Sequence, residues 1–207
     1  MTRVVDWPLT TSEVRFEPSY GTRPPDFGRQ AHEFMPPFWV CRITTPPLSE
    51  RDRRRAESVL ADIEGTAVVA LHDPRCPVPF ALRASAEAAS EVPALTVVGM
   101  SEGDRSLGVR GTSGDTITEG DPLAFTLDGQ RHYFKARAGL ALDGTTQTLP
   151  VFIRPRRTVG GLGVAAQRFK PRAHFIIDAT QLETVTRVDG FTPTTITGVE
   201  HWQRRGP

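Results

Sequence analysis

Apolar and polar positions alternate on two different periods along this chain. Ala56, Val59, Leu60 and Ile63 recur at i, i+3, i+4 and i+7, which puts one apolar stripe on a helix over about residues 49–64. Ser49 stands at its N-cap, Asp52 at the capping-box position and Gly65 where a C-terminal cap belongs. On either side, FWVCRIT (38–44) and TAVVALH (66–72) are rich in aromatic and β-branched residues and predict buried strands. A shorter strand is expected over Leu95 to Gly99.

Beyond residue 100 the runs become short and alternate on period two. The expected strands are TIT (116–118), LAFTL (123–127), RHYFKARA (131–138), TQTLPVFIR (146–154), AHFIID (173–178), LETVTRV (182–188) and TTITGVEHW (194–202). Asp128-Gly129, Asp143-Gly144 and Asp189-Gly190 are hairpin dipeptides, since a type I′ turn needs positive φ at both central residues. Strands at this spacing imply an antiparallel sandwich or barrel. The fold class read from the pattern is therefore mainly β (α+β), a strand–helix–strand unit with one amphipathic helix joined to an antiparallel β-sandwich or barrel. The expected division is an arm over 1–37, the strand–helix–strand unit over 38–99 and the all-β part over 100–207, with 38–207 a single domain as the alternative.

Residues 1–37 read as an extended arm, because Pro18, Pro24, Pro25, Pro36 and Pro37 forbid a long helix. Trp7, Phe16, Tyr20, Phe27 and Phe34 are spaced along it as anchors. Such an arm either docks onto another molecule or wraps its own domain.

Composition narrows the function classes. The formal net charge is +1, so no global field draws the chain to nucleic acid or membrane. No stretch approaches the roughly 20 apolar residues of a membrane span, and MTRVVDWPLTTSEVRF lacks the apolar run of a signal peptide. Cys41 and Cys76 make no disulfide framework and read as small buried hydrophobes. Synthesis in a reducing cytoplasm is expected.

Candidate chemistry is sparse. Gly111-Thr112-Ser113-Gly114 is out of register with the nucleophile elbow G-x-S-x-G and reads as a polar turn. His72 and Cys76 lack further ligands at metal spacing. Gly160-Gly161-Leu162-Gly163 follows Arg154, Arg156 and Arg157, but no helix follows to complete a phosphate loop, so a mobile Arg/Gly loop at a subunit contact is expected. The run Arg51–Arg55, broken by Asp52, reads as a solvated helix face able to make inter-subunit ion pairs. No catalytic, cofactor or metal residues are assigned. The candidate subunit-interface residues are Trp7, Phe16, Tyr20, Phe27, Arg51, Arg54, Arg156 and Arg157.

The order of several short motifs resembles the small tail-tip and baseplate proteins, distal-tail-like, of long-tailed bacteriophages and prophages. Gln30 precedes the aromatic strand Phe38-Trp39-Val40, Thr45-Pro46-Pro47-Leu48 leads into the helix ending Ile63-Glu64-Gly65, and a strand reaches Asp73-Pro74-Arg75. In the second half come Glu119-Gly120-Asp121-Pro122, Arg131-His132-Tyr133, Pro150-Val151-Phe152-Ile153-Arg154-Pro155 and Val199-Glu200-His201-Trp202. The resemblance implies a non-enzymatic subunit of the virion tail, assembled in the host cytoplasm. It also implies a homo-oligomeric ring, hexameric or trimeric, between tail tube and hub, with other tail proteins as partners and no cofactor. A carbohydrate-binding β-module for host attachment, using Tyr133 or Trp202, is the alternative. A hydrolase with an unrecognised site would need converging carboxylates.

Overall fold

The computed structural model describes residues 3–7, 11–22, 33–63, 67–85, 88–184 and 194–201. In chain order the strands and helix are β1 (Arg3–Asp6), β2 (Glu13–Thr22), β3 (Glu33–Thr44), α1 (Glu50–Ile63), β4 (Ala67–His72), β5 (Leu95–Ser101), β6 (Ser106–Gly111), β7 (Thr116–Ile117), β8 (Pro122–Leu127), β9 (Gln130–Lys135), β10 (Leu140–Ala141), β11 (Gln147–Pro150), β12 (Val164–Ala166), β13 (Arg172–Thr184) and β14 (Thr194–Glu200). The protein is mainly β with a single long helix among the described residues, as its period-two runs and one helical stripe require. No helix among those residues is long and apolar enough to cross a membrane.

The chain divides into two compact units. Met1–Ser19, Phe38–Asp73 and Ala173–Pro207 form a sheet unit, and Tyr20–Pro37 with Pro74–Arg172 form the other. The longer segment of this second unit, Pro74–Arg172, is thus inserted, in sequence, between β4 and β13. The expected split at residue 100 assigned 173–200 to the all-β part. Instead β13 and β14 hydrogen-bond within the first unit's sheet, because local alternation marks a strand without marking its partner.

The sheet unit has six strands in the order β1-β4-β13-β14-β3-β2. β1 runs parallel to β4, with Val4 beside Val68, while β13, β14 and β3 are antiparallel. One face carries Val14, Phe16, Trp39, Cys41, Ile43, Phe175, Ile177 and Ile196, all buried. Fully burying each large one contributes about 1.5–3 kcal/mol. Phe16 meets Phe175 edge-on at 4.9 Å. The N-terminal arm therefore supplies two strands to its own sheet. Helix α1 starts as its sequence requires. Asp52 N–H donates to Ser49 Oγ at 3.2 Å, and Ser49 Oγ–H donates to the Asp52 carboxylate at 2.7 Å. Ala56, Leu60 and Ile63 are its buried stripe. The expected cap at Gly65 lies outside the described residues.

The second unit is a closed barrel. β11, β6, β5 and β12 form one antiparallel sheet, and β8 and β9 form a hairpin. Two bridges join them into a ring. Gln167, just past β12, exchanges main-chain hydrogen bonds with Ala124 of β8 at 2.7 and 3.0 Å, and Ala136, just past β9, bridges Val151, just past β11. The circuit β5-β6-β11-β9-β8-β12 returns to β5, which decides between sandwich and barrel. Its interior is filled by Leu95, Val97, Leu107, Val109, Leu123, Phe125, Phe134, Leu149 and Val151. Asp128 (φ 52°) and Gly129 (φ 75°) make the expected hairpin turn between β8 and β9. Asp143-Gly144 does not act as one, because β10 pairs with β7 and β11 with β6. There the Asp143 carboxylate accepts from the N–H and Oγ1–H of Thr145. Asp189-Gly190 lies outside the described residues.

Candidate interaction surfaces

Three features of the barrel and three of the sheet unit stand out. Deepest is an ion pair between Arg168 and Asp115, each side chain 4% exposed. Arg168 also donates to the carbonyls of Pro93 (3.2 Å) and Thr116 (3.1 Å), while Asp115 accepts from Thr116 N–H. The pair locks the β7–β10 ribbon against the barrel, and it is fully enclosed, so its part is architectural. Asp121 is a second buried carboxylate. It accepts from the N–H groups of Phe80 (2.7 Å) and Thr118 (2.8 Å) and so pins the 3-10 turn Phe80–Leu82 to the start of β8.

The third feature is the hairpin end of the barrel. His132 is 4% exposed and stacks on Phe125 at 5.2 Å. Its pKa is pushed down to about 4, first by burial and then by Arg157 and Arg156. Arg131 donates through Nε to the carbonyl of Arg172 (2.9 Å) and through its terminal nitrogens to Thr126 Oγ1 and Gln167 Oε1. Burial, with Arg172 nearby, lowers its pKa from the usual arginine value. Arg157 pairs with Asp128 at 2.8 Å. The Arg/Gly segment expected to be mobile is instead held to β5. Val159 and Met100 exchange main-chain hydrogen bonds (2.8 and 2.9 Å), Leu162 N–H donates to Val98, and Glu102 N–H donates to Thr158 Oγ1.

On the sheet unit, β1 and β2 stand at the two edges. Val40, Val199 and Ile176 lie side by side on the sheet's other face, with Val199 and Ile176 each more than two-fifths exposed. A cleft of about 480 Å³ lies where α1 comes beside β1 and β4, lined by Arg3, Val5, Asp6, Val59, Asp62, Ile63 and Ala67.

The residues expected at subunit contacts are dispersed. Phe16 is buried in the sheet core and is not at the surface, because β2 folds onto its own sheet. Trp7 is partly buried just after β1. Tyr20 lies on β2, an edge strand, and Phe27 is outside the described residues. Arg51 and Arg54 are exposed on α1, Arg54 paired with Glu50 one turn away. Arg156 and Arg157 are brought together with Arg131 and His132 at the barrel end.

Of the residues considered for a glycan site, Tyr133 is buried at 2% exposure and Trp202 lies outside the described residues. Ser113 sits in a turn, followed by Gly114 at φ 87°. Among the described residues no three His, Cys, Asp or Glu side chains converge as metal ligands. Cys41 is fully buried as expected, and its thiol is pushed up to about 12 by burial. Cys76 is only partly buried, with Arg83 donating to its sulfur at 3.3 Å.

The barrel's basic end had a sequence signal. Residues 131–172 hold nine Arg and Lys against one acid, Asp143, a segregation that the whole-chain charge of +1 conceals. Compared with known proteins, the sequence matches no protein-family model and no curated protein.

Proposed function

We propose that this chain is a structural, non-enzymatic subunit of the tail tip of a tailed bacteriophage, forming a ring in the baseplate between tail tube and hub. The observation that carries the reading is the pair of unlike edges on the six-stranded sheet, both supplied by the N-terminal segment. A closed ring needs two different surfaces on each copy that meet heterologously. Strand β1, parallel to its neighbour and bearing the half-exposed Val4, differs in direction and side chains from β2 at the far edge. Edge strands offer main-chain donors and acceptors to a second chain. The ordered motifs from Gln30 to Trp202 support placing such a subunit in the virion tail, with other tail proteins as partners.

Mass measurement by light scattering on the eluting protein, with and without purified tail proteins, tests the reading. A closed oligomer or a stable complex with tail proteins is expected, and electron microscopy of the particle should locate the chain at the distal end of the tail. A chain that stays monomeric alone and with every tail partner would sink it.

A further inference from the structure

One turn of the barrel unit holds a phenyl ring out in solvent. Phe80, 60% exposed, opens the short 3-10 turn Phe80–Leu82. Its N–H donates to the buried Asp121 carboxylate at 2.7 Å, and Leu82 N–H donates to the Pro79 carbonyl at 2.9 Å. The Arg83 guanidinium lies over the ring, 5.1 Å from its centre, and donates to Cys76 Sγ at 3.3 Å. The backbone of this knob is pinned and its ring is braced, so burying it in a partner costs little ordering entropy. Aromatic residues and arginine are also the types enriched where proteins meet. The sheet unit carries a hollow of matching character. Its cleft of about 480 Å³ has the apolar lining residues Val5, Val59, Ile63 and Ala67, with Asp6, Asp62 and Arg3 among them. An apolar cavity of about 150 Å³ already holds a benzene ring, so a phenyl side chain fits with room to spare. Within this lining two carboxylates stand against one guanidinium, which leaves it acidic on balance.

We infer that the Phe80 knob of one copy seats in the α1–β1 cleft of a second copy, with Arg83 beside the cleft's carboxylates. Knob and cleft belong to different units of the chain, so each copy uses one toward one neighbour and the other toward the next. Such a contact is heterologous, the kind that closes into a ring. A second copy is the occupant that matches on every count. The apolar ring meets an apolar lining, Arg83 meets an acidic one, and the cleft is walled by β1, the edge strand offered to the next copy. The inference rests on the tail-tip reading only for self-association, and it names the side chains that make the contact.

The test is the mass of the full chain by sedimentation velocity across a concentration series, for the wild type and two variants. Phe80→Ala removes the knob at an exposed position, and Val59→Arg fills the cleft. Each should raise the dissociation constant for self-association by about tenfold or more. Mixed in equal amounts, the two variants should pair one to one and stop there. The Val59→Arg copy still offers a knob, and the Phe80→Ala copy still offers a cleft. Wild-type assembly in either variant, or no pairing in the mixture, overturns the inference and leaves a ring through the sheet edges standing. A wild type that is monomeric alone also overturns it, whereas the tail-tip reading falls only if tail proteins leave the chain monomeric too. Loss of assembly in both variants, with rescue in the mixture, supports the inference even if the chain is absent from the tail. If circular dichroism shows Val59→Arg misfolded, Asp62→Arg, exposed in the same lining, replaces it. About a threefold or larger loss is then expected, and none would again overturn the contact.

Discussion

The barrel and the sheet unit handle unpaired strand edges in opposite ways. The barrel returns β12 to β8 and β9 to β11, so its ladder closes on itself. The sheet unit leaves β1 and β2 at its margins. Both units bury polar groups, Thr45 and Asp73 in the sheet unit and Arg168, Asp115, Asp121 and His132 in the barrel, and in the barrel Arg168 and Asp115 are paired with each other. Closure lets a small β-unit hold ionic pins in an apolar interior, because the surrounding ladder fixes every partner in place. The open sheet is stabilised mainly by apolar packing on one face, with β1 and β2 as its outermost strands among the described residues.

Removing the barrel's ionic pin should break this comparison most sharply. Arg168→Ala leaves Asp115 enclosed without its cation, and a loss of about 3–5 kcal/mol is expected. Hydrogen exchange in β5 and β9 should rise far more than in β3 or β14. The double change Arg168→Met with Asp115→Leu should recover much of the loss; if it does not, the pair contributes more than charge compensation.

Acid should weaken the barrel next. Burial pushes the folded pKa of His132 down to about 4, below the ordinary histidine value of 6.5, so between those values the unfolded chain binds the extra proton. Stability is therefore fully present above about pH 6.5 and declines as pH falls toward 4, by roughly 3 kcal/mol in all. Denaturant melts across that window should slope in the wild type and flatten in His132→Leu.

Gly198 probes the sheet unit in the same way. An added Cβ would stand 2.7 Å from Cys41 Sγ, 2.8 Å from Ile177 Cδ1 and 3.2 Å from the Ile176 carbonyl. Gly198→Ala should cost about 1–3 kcal/mol, read by the fluorescence of Trp39 on β3. Gly111→Ala in the barrel meets Leu142 and Leu95 methyl groups at 2.6 and 3.1 Å. Those side-chain ends can swing aside, so a smaller loss is expected.

Thiol labelling at neutral pH sharpens the contrast without a stability change. Cys76 should react in the native protein and Cys41 only after the sheet unit opens. The smallest effect is expected at Arg54. Arg54→Ala should alter the melting free energy by no more than about 0.5 kcal/mol, since its pairing with Glu50 is exposed.

Some of the candidate surface was legible in the residues and some was not. Arg156 and Arg157 could be singled out beside Gly160-Gly161, but Arg131 and Arg172 join them only through the β9 and β12–β13 geometry. Phe16 looked like an anchor on an arm, because an aromatic residue between prolines reads alike whether its ring meets another molecule or its own sheet. Asp115 and Arg168 are 53 positions apart, and nothing local couples them.

Taken alone, the amino-acid order determined the mainly β class, helix α1 with its Ser49 cap and the Asp128-Gly129 turn. Each is settled within a few residues by side-chain periodicity, capping hydrogen bonds or positive φ. Tertiary structure decided that β13 and β14 pair in the first unit's sheet, that the second unit closes as a barrel, and that Arg131, Arg156 and Arg157 come near His132 at one of its ends. Those outcomes depend on which distant strand offers a matching ladder and a buried face, and alternation on period two is the same whichever partner is chosen.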